Sequence, residues 1–136
     1  MEVLHMWFLQ LIEQDFTFTF HRKCEASRVF QLDFADDLLL FCGANIDSIW
    51  VLKNELDRFA ISSGLRVNVE KSYLIISWSA QDVKEQLLAV LGFQEGRLPM
   101  RYLGLPLISS RLSISDCQPL LIKIYERING WEGLAL

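Results

Sequence analysis

The sequence has 136 residues and a mass of 15.8 kDa, the size of one ordinary domain or one part of a larger one. Apolar residues make up 51% and charged residues 22%, which excludes a disordered tail, and no apolar run approaches the roughly 18 residues of a membrane helix. The net charge of -4 argues against a stand-alone nucleic-acid-binding domain, and three cysteines without a close pair imply no disulfide framework.

Three elements are predicted in the first third of the chain. Apolar residues recur at spacings of three and four between Val3 and Ile12, which predicts a helix. Residues 16–20 alternate strictly between Phe and Thr, which predicts a strand with one buried face. Two apolar segments flank Ala35-Asp36-Asp37, so we predict a hairpin over residues 28–42 with the acidic residues at its tip.

The middle of the chain continues this mixed pattern. Asp47 is predicted to be the N-cap of a helix that ends at Gly64, where a left-handed residue is favoured. Residues 65–69 alternate between apolar and polar, and residues 73–78 are a second β-biased run. Both runs predict strands.

The last third is predicted to contain two helices separated by a loop. A capping box at Ser79 opens a short helix that closes at Gly92, and residues 96–106 predict a loop with a short extended piece. Ser115 or Asp116 is predicted to cap a final helix with its apolar face between residues 121 and 131. The order of elements predicts an α+β fold with hairpins rather than a parallel βαβ sheet.

The pair Asp36-Asp37 is the sequence feature most suggestive of chemistry. Both carboxylates must stay outside the core, because burying an unpaired carboxylate costs several kcal/mol. A hairpin tip would present them on a rigid support, and hard divalent cations such as Mg²⁺ prefer oxygen ligands. Turns also favour Asp, so the segment alone favours a solvated turn over a metal site.

Four sequence blocks give the chain a resemblance to a known family. Phe34-Ala35-Asp36-Asp37 resembles the Tyr/Phe-Ala-Asp-Asp signature of reverse transcriptases. Three other blocks, in the family's order, make the chain similar to the reverse transcriptase of plant LINE-type (non-LTR) retrotransposons: Met1–Leu4, Ser63–Ser72, and Gly92-Phe93 followed by Leu98–Leu107. The resemblance covers nearly the whole chain. It implies part of a right-hand polymerase palm, an antiparallel sheet with an acidic hairpin backed by helices, over residues 1–95, and the palm–thumb connection and helical root of the thumb over residues 96–136.

The resemblance also implies roles for individual residues. Asp36 and Asp37 would be catalytic carboxylates that bind Mg²⁺, and Lys71 would lie near the triphosphate of the incoming nucleotide. The residues implied to contact substrate or primer are Phe34, Ala35, Asn68, Tyr102, Leu103 and Gly104. The implied partners are an RNA template, a DNA primer and deoxynucleotide triphosphates, and the implied location is the nucleus; no membrane association is expected. Without the resemblance, Lys71 reads as a solvated lysine, and Tyr102 and Leu103 read equally well as core residues.

Two departures from the family pattern bear on activity. The 136 residues contain no counterpart of the family's earlier Asp-bearing palm strand or of its Gln-Gly-Asp-Pro motif, so we expect the chain to be a fragment of a polymerase. The alternative is a catalytically inactive remnant or a co-opted small interaction protein. An unrelated α+β binding domain would require four motif matches by accident. Coding sequence upstream of Met1 would distinguish the polymerase fragment from the inactive remnant, because an open reading frame that encodes the Asp-bearing strand favours the polymerase.

The chain on its own is predicted to lack polymerase activity. One carboxylate pair cannot hold two ions in catalytic geometry, and removing part of a unit that acts together removes nearly all of its effect. We expect no template-directed product in a primer-extension assay with Mg²⁺ or Mn²⁺, with an active reverse transcriptase in the same buffer as the positive control. Product that depends on the template sequence would contradict this.

Overall fold

A computed structural model describes residues 2–102, 105–108 and 110–134 and contains both helices and small sheets, which confirms an α+β protein at the coarse level. The α-helices are α1 (Glu2–Gln14), α2 (Ile46–Ser63), α3 (Lys84–Leu91) and α4 (Ile114–Leu134), and 3-10 helices cover Val69–Lys71 and Trp78–Val83. The strands are β1 (Gln31–Phe34), β2 (Asp37–Leu40), β3 (Tyr73–Leu74), β4 (Gln94–Glu95), β5 (Met100–Tyr102) and β6 (Leu105–Leu107). The chain divides into two compact units, Met1–Gly96 and Arg97–Leu136.

The described strands form three two-stranded sheets. The pairs β1–β2 and β5–β6 are antiparallel. The pair β1–β2 confirms the hairpin predicted over residues 28–42. The pair β3–β4 is parallel, which corrects the expectation that no parallel pairing occurs. The chain between these two strands runs through α3, and a parallel pair needs such a crossover.

The core of the first unit is built on α1. The predicted helix is confirmed, and its residues Leu4, Phe8 and Ile12 are buried at spacings of four. The ring of Phe8 meets that of Phe30 edge-on, with centroids 6.1 Å apart. Phe18 and two residues of α2, Val51 and Leu52, complete this buried cluster. The cluster therefore joins α1, α2 and the base of the acidic hairpin.

The predicted strand over residues 16–20 is wrong. Phe16 is 97% exposed, and residues 16 and 17 form a turn. The Asp15 carboxylate accepts hydrogen bonds from the Thr17 N–H (2.8 Å) and hydroxyl (2.6 Å), which lowers the pKa of Asp15. Alternation alone does not make a strand here, because no described strand forms a series of backbone hydrogen bonds with this segment.

Instead of pairing with a strand, Thr19 forms hydrogen bonds with the side chains of Ser48 and Asn45 and with the backbone of Gly43. Its N–H donates to Ser48 Oγ at 2.9 Å, and its carbonyl accepts from Gly43 N at 2.8 Å. Asn45 Nδ2 donates to Thr19 Oγ1 at 2.6 Å. Ser48 is fully buried, so these bonds satisfy polar groups that would otherwise be costly to bury. We call Thr19, Gly43, Asn45 and Ser48 the polar junction.

The predicted N-cap of α2, Asp47, is wrong. Asn45 is the N-cap, and its side chain accepts from Ser48 N at 2.8 Å, whereas Asp47 lies in the first turn. Asn is as good a cap as Asp, so the tertiary bond from Asn45 to Thr19 decides between them. The predicted end is confirmed, since Gly64 has φ +75° and donates its N–H to Ala60 O.

The two runs that follow α2 are mostly not strands. Residues 65–68 are irregular, and Leu65 and Val67 are exposed, so their alternation does not correspond to burial. Only Tyr73–Leu74 of the run 73–78 pairs, with β4. A 3-10 helix begins at Trp78 and passes into α3 at Lys84, so Ser79 is not an α-helical cap. The predicted end of α3 is confirmed by Gly92 at φ +70°.

In the second unit, α4 begins earlier than predicted. Ser113 is the cap residue, because its hydroxyl accepts from Asp116 N (3.3 Å) while the Asp116 carboxylate accepts from Ser113 N (2.8 Å). This reciprocal pair is a capping box, and its hydrogen bonds lower the pKa of Asp116. Ser115 and Asp116 therefore lie inside the helix.

Within the described ranges, no helix combines the length and apolar character needed to cross a bilayer.

We predict that Gly43→Ala destabilises the protein. A methyl group at position 43 would collide with Thr19 Oγ1 and lie 2.9 Å from Asn45 Nδ2, so the polar junction would have to open. Overpacking of this kind costs about 1–3 kcal/mol. Urea unfolding followed by circular dichroism measures the change. Gly130→Ala is the control, because nothing described lies within 4 Å of that position; equal stability of the wild type and Gly43→Ala would contradict the prediction.

Candidate functional site at the acidic hairpin

The acidic hairpin is anchored to the core at its base and reaches solvent at its tip. Phe30 is buried and accepts a hydrogen bond through its carbonyl from Phe41 N at 2.8 Å. The register then pairs Gln31 with Leu40 and Phe34 with Asp37. Gln31 is buried, whereas Phe34 and Asp37 are exposed. The predicted placement of the acids at the tip of a hairpin is confirmed.

The pleat assigns the side chains of the hairpin to two faces. Residues directly opposite each other lie on the same face. One face carries Gln31 and Leu40 and packs on the core through Leu38 and Leu40. The other face carries Phe34 opposite Asp37 and Leu32 opposite Leu39. Phe34 is 60% exposed, so this outer face places an aromatic ring beside one carboxylate in solvent.

Asp36 and Asp37 differ in backbone position. Ala35 and Asp36 are the two loop residues, and Asp37 is the first residue of β2. Ala35 has φ +52°, the sign that a type II′ turn requires at its first loop position. A two-residue loop keeps the ends of both strands close, so Asp36 and Asp37 both lie at the tip of the hairpin.

Asp33 adds a third negative charge near the tip. It is exposed and pairs with Leu38, which puts it on the face opposite to that of Asp37. Since strand side chains alternate, Asp33 and Asp37 point away from each other. In the described residues, no group of three or more His, Cys, Asp or Glu side chains could hold a metal ion by itself. The tip therefore carries two acidic residues that are adjacent in sequence, with Asp33 on the other face.

Asn68 and Lys71 form a defined turn in the same unit. The backbone N–H of Lys71 donates to the carbonyl (3.1 Å) and the side-chain oxygen (3.3 Å) of Asn68. Gln94 N donates to Ser72 O at 3.2 Å, which ties this turn to β4. The Lys71 side chain is exposed. The turn thus fixes the backbone of Lys71 and leaves its ammonium group in solvent.

The described structure does not link all the predicted site residues. No hydrogen bond or ion pair among the described side chains joins Lys71 or Asn68 to Asp36 or Asp37. Tyr102 is half-buried in β5 of the second unit and stands opposite Leu105. The predicted residues Leu103 and Gly104 lie outside the described residues. The hairpin residues Phe34, Ala35, Asp36 and Asp37 are thus the part of the set that the structure brings together.

Leu32 and Leu39 were missed by the sequence analysis. They lie on the outer face with Phe34 and extend it along the hairpin as an apolar strip. Leu32 is 49% exposed. The signal was present in the sequence, because a two-residue loop at Ala35-Asp36 fixes which residues face each other. The strip gives the tip a surface on which a flat apolar group could stack.

No family model matches the sequence, and no solved structure matches the fold.

We predict that Ala35→Gly stabilises the hairpin. Ala at φ +52° carries a steric cost that glycine avoids, and such replacements change stability by about 0.5–1 kcal/mol. Urea unfolding should show a higher midpoint at an unchanged slope. Ala44→Gly, a loop position without positive φ, is the control and should give no gain. A loss of stability in Ala35→Gly would contradict the left-handed turn.

Proposed function

We propose that this chain supplies the later palm motifs of an RNA-directed DNA polymerase similar to the reverse transcriptases of plant LINE-type retrotransposons. The observation that carries the proposal is the acidic pair Asp36-Asp37 at the tip of a tight hairpin, with Phe34 beside it. The order of the four sequence blocks supports the same family. In the complete polymerase the reaction is transfer of a nucleotidyl group from a deoxynucleotide triphosphate to a primer on an RNA template.

The two carboxylates suit Mg²⁺ as part of its ligand set. Mg²⁺ commonly takes one or two protein carboxylates and completes its octahedron with water and substrate phosphates. Asp36 and Asp37 are exposed, adjacent and held by the backbone of the loop and β2. The described residues add no third carboxylate to this group. The proposal therefore assigns the remaining ligands to the triphosphate and to another part of the polymerase.

The proposed roles follow from the charge of each group. Bound Mg²⁺ would neutralise phosphate charge and favour ionisation of the attacking hydroxyl. Asp36 and Asp37 hold the cation, and Lys71 neutralises charge on the triphosphate. Phe34, on the outer face, stacks against the primer end, a role for which an exposed aromatic ring is suited. Ala35 keeps the loop small beside the substrate, and Asn68 positions Lys71 through its backbone bond.

A non-catalytic remnant or a co-opted interaction protein is the second candidate. The net charge of -4 and the large number of exposed apolar side chains favour it for the chain taken alone. The two candidates agree that the isolated chain does not polymerise nucleotides. They differ on whether the acidic tip keeps an affinity for a metal–nucleotide complex.

We predict that Mn²⁺ together with a deoxynucleotide triphosphate binds weakly at the hairpin tip. Mn²⁺ can substitute for Mg²⁺ at oxygen ligands and broadens nearby resonances because it is paramagnetic. In ¹⁵N-labelled protein, we expect selective broadening of the amides of residues 34–38 and of residues 68–72 at millimolar Mn²⁺–nucleotide. Asp36→Asn combined with Asp37→Asn should abolish the broadening at the tip.

The matched control is Asp82→Asn, which removes an exposed carboxylate from the same unit without touching the hairpin. This variant should broaden like the wild type. Broadening spread over all exposed acids would overturn the proposed site, because it would reflect general attraction of a cation to an acidic chain. Broadening at the tip alone, with no effect at 68–72, would remove Lys71 from the proposal.

A further inference from the structure

The segment that leads into the base of the acidic hairpin concentrates positive charge. Residues 22–28 form turns before β1 begins, and we call residues 21–28 the basic loop. Three cations and one anion give this loop a charge of +2 in a chain whose net charge is -4. All three cations are exposed; they are Arg22, Lys23 and Arg28. A local excess of positive charge on an acidic protein is typical of a surface that attracts an anion.

Two backbone hydrogen bonds gather these cations around Cys24. Cys24 N donates to His21 O at 2.8 Å, which closes a tight turn. Val29 N donates to Cys24 O at 3.2 Å, so the chain returns to the start of the loop before β1 begins. Lys23 and Arg28 each precede a partner in that second bond by one residue. Their side chains therefore start from neighbouring points of the backbone, although they lie five residues apart in sequence.

The side chain of Arg28 is held against the first unit. Its guanidinium carbon lies 4.9 Å from the centroid of the Phe20 ring, and Phe20 is half-buried and packs on the core. A guanidinium stacked on a ring keeps N–H donors in its plane, so Arg28 can bind an oxyanion without leaving Phe20. Its backbone has φ +53°, which strains an arginine but not a glycine, and such residues concentrate at functional sites.

No carboxylate in the described chain neutralises these cations. The ion pairs between described side chains do not include Arg22, Lys23 or Arg28. Glu25 lies between them in sequence and pairs with none of them. His21 Nδ1 accepts from Lys23 N at 3.2 Å, so the neutral ring carries its proton on Nε2 and adds another donor. The basic loop thus has positive charge and hydrogen-bond donors available for a ligand.

The kind of partner follows from the residues between the cations. The uncharged exposed residues of the basic loop are Ala26 and Ser27, and neither supplies an apolar anchor. Protein partners bind mainly through buried aromatic and aliphatic anchors, whereas the affinity for a nucleic acid comes mostly from its phosphates. We propose that the basic loop binds the phosphodiester backbone of a nucleic-acid strand. This site is separate from Asp36 and Asp37 and requires neither metal nor nucleotide.

Fluorescence anisotropy of a labelled single-stranded DNA of twelve nucleotides, in a buffer with EDTA, tests the basic loop. The net charge of -4 opposes binding, so we expect a dissociation constant of the order of 10–100 µM at about 20 mM salt. Three phosphate contacts to a single strand give a slope of roughly -2 in log K against log salt concentration. A threefold rise in salt should therefore weaken binding about tenfold.

Removal of the three cations should weaken binding at least tenfold and bring the salt slope close to zero. The variant combines Arg22→Gln, Lys23→Gln and Arg28→Gln. A second variant keeps Arg28 on Phe20 and changes only the other two cations, so it preserves the packing of the loop. Its salt slope should fall by about two thirds, because one phosphate contact remains.

The matched control removes the same amount of charge from exposed positions outside the basic loop, by Arg66→Gln, Arg111→Gln and Lys123→Gln. Its affinity should stay within about twofold of the wild type, because the phosphate contacts are local. A loss in the control as large as in the loop variant would overturn the proposal, since binding would then follow net charge alone. A wild type that binds no DNA, or a loop variant that binds as the wild type does, would also overturn it.

Two further measurements identify the place and the partner. In ¹⁵N-labelled protein, the DNA should shift the amides of residues 21–28 and leave those of residues 34–38 unchanged. A peptide of twelve glutamates or vesicles of phosphatidylserine that bind the loop as tightly as the DNA would overturn the assignment to nucleic acid. These outcomes do not depend on Mn²⁺–nucleotide binding at the hairpin tip, so the loop and the tip can fail separately.

Discussion

Phe30 fixes the acidic hairpin to the core of the first unit, and the position of the tip depends on it. The Phe30 ring stacks on His5 at 5.1 Å and meets Phe8 edge-on, so α1 determines where β1 begins. From that point the pleat alternates, and Leu40 turns inward while Phe34 turns outward. Four residues beyond Phe30 the strand has left the core, so the loop can hold two carboxylates without burying them.

The polar junction has a similar anchoring role for the segment that follows α1. Ser48 is buried, and its hydroxyl accepts from the backbone of Thr19, while Asn45 caps α2 and also bonds to Thr19. These bonds tie the segment after α1 to the start of α2. They also explain the glycine at position 43, where a methyl group would meet the Thr19 hydroxyl.

The thiol of Cys42 is shielded from solvent, and burial raises its pKa to about 12.

The candidate site needs its acidic residues in solvent, and the hairpin provides this through a two-residue loop anchored at its base. Phe30 and Gln31 are buried, whereas Phe34, Asp36 and Asp37 are exposed. Burying an unpaired carboxylate would cost several kcal/mol, so the short loop allows both acids to stay in water.

The sequence by itself determined the features that depend on neighbouring residues. The apolar period of α1, the glycines that end α2 and α3 and the acidic turn all arise from contacts within four residues or from one backbone angle. The position of Asp36 and Asp37 was predictable for the same reason.

The tertiary structure alone decided the segments whose state depends on distant partners. Residues 16–20 and 65–69 have the alternation of strands, but a strand exists only when another backbone accepts and donates its hydrogen bonds. Thr19 finds the side chain of Ser48 instead, 29 residues away. Asn45 caps α2 in preference to Asp47 because it also reaches Thr19. Such choices are settled by which groups meet in space, and spacing along the chain does not contain that information.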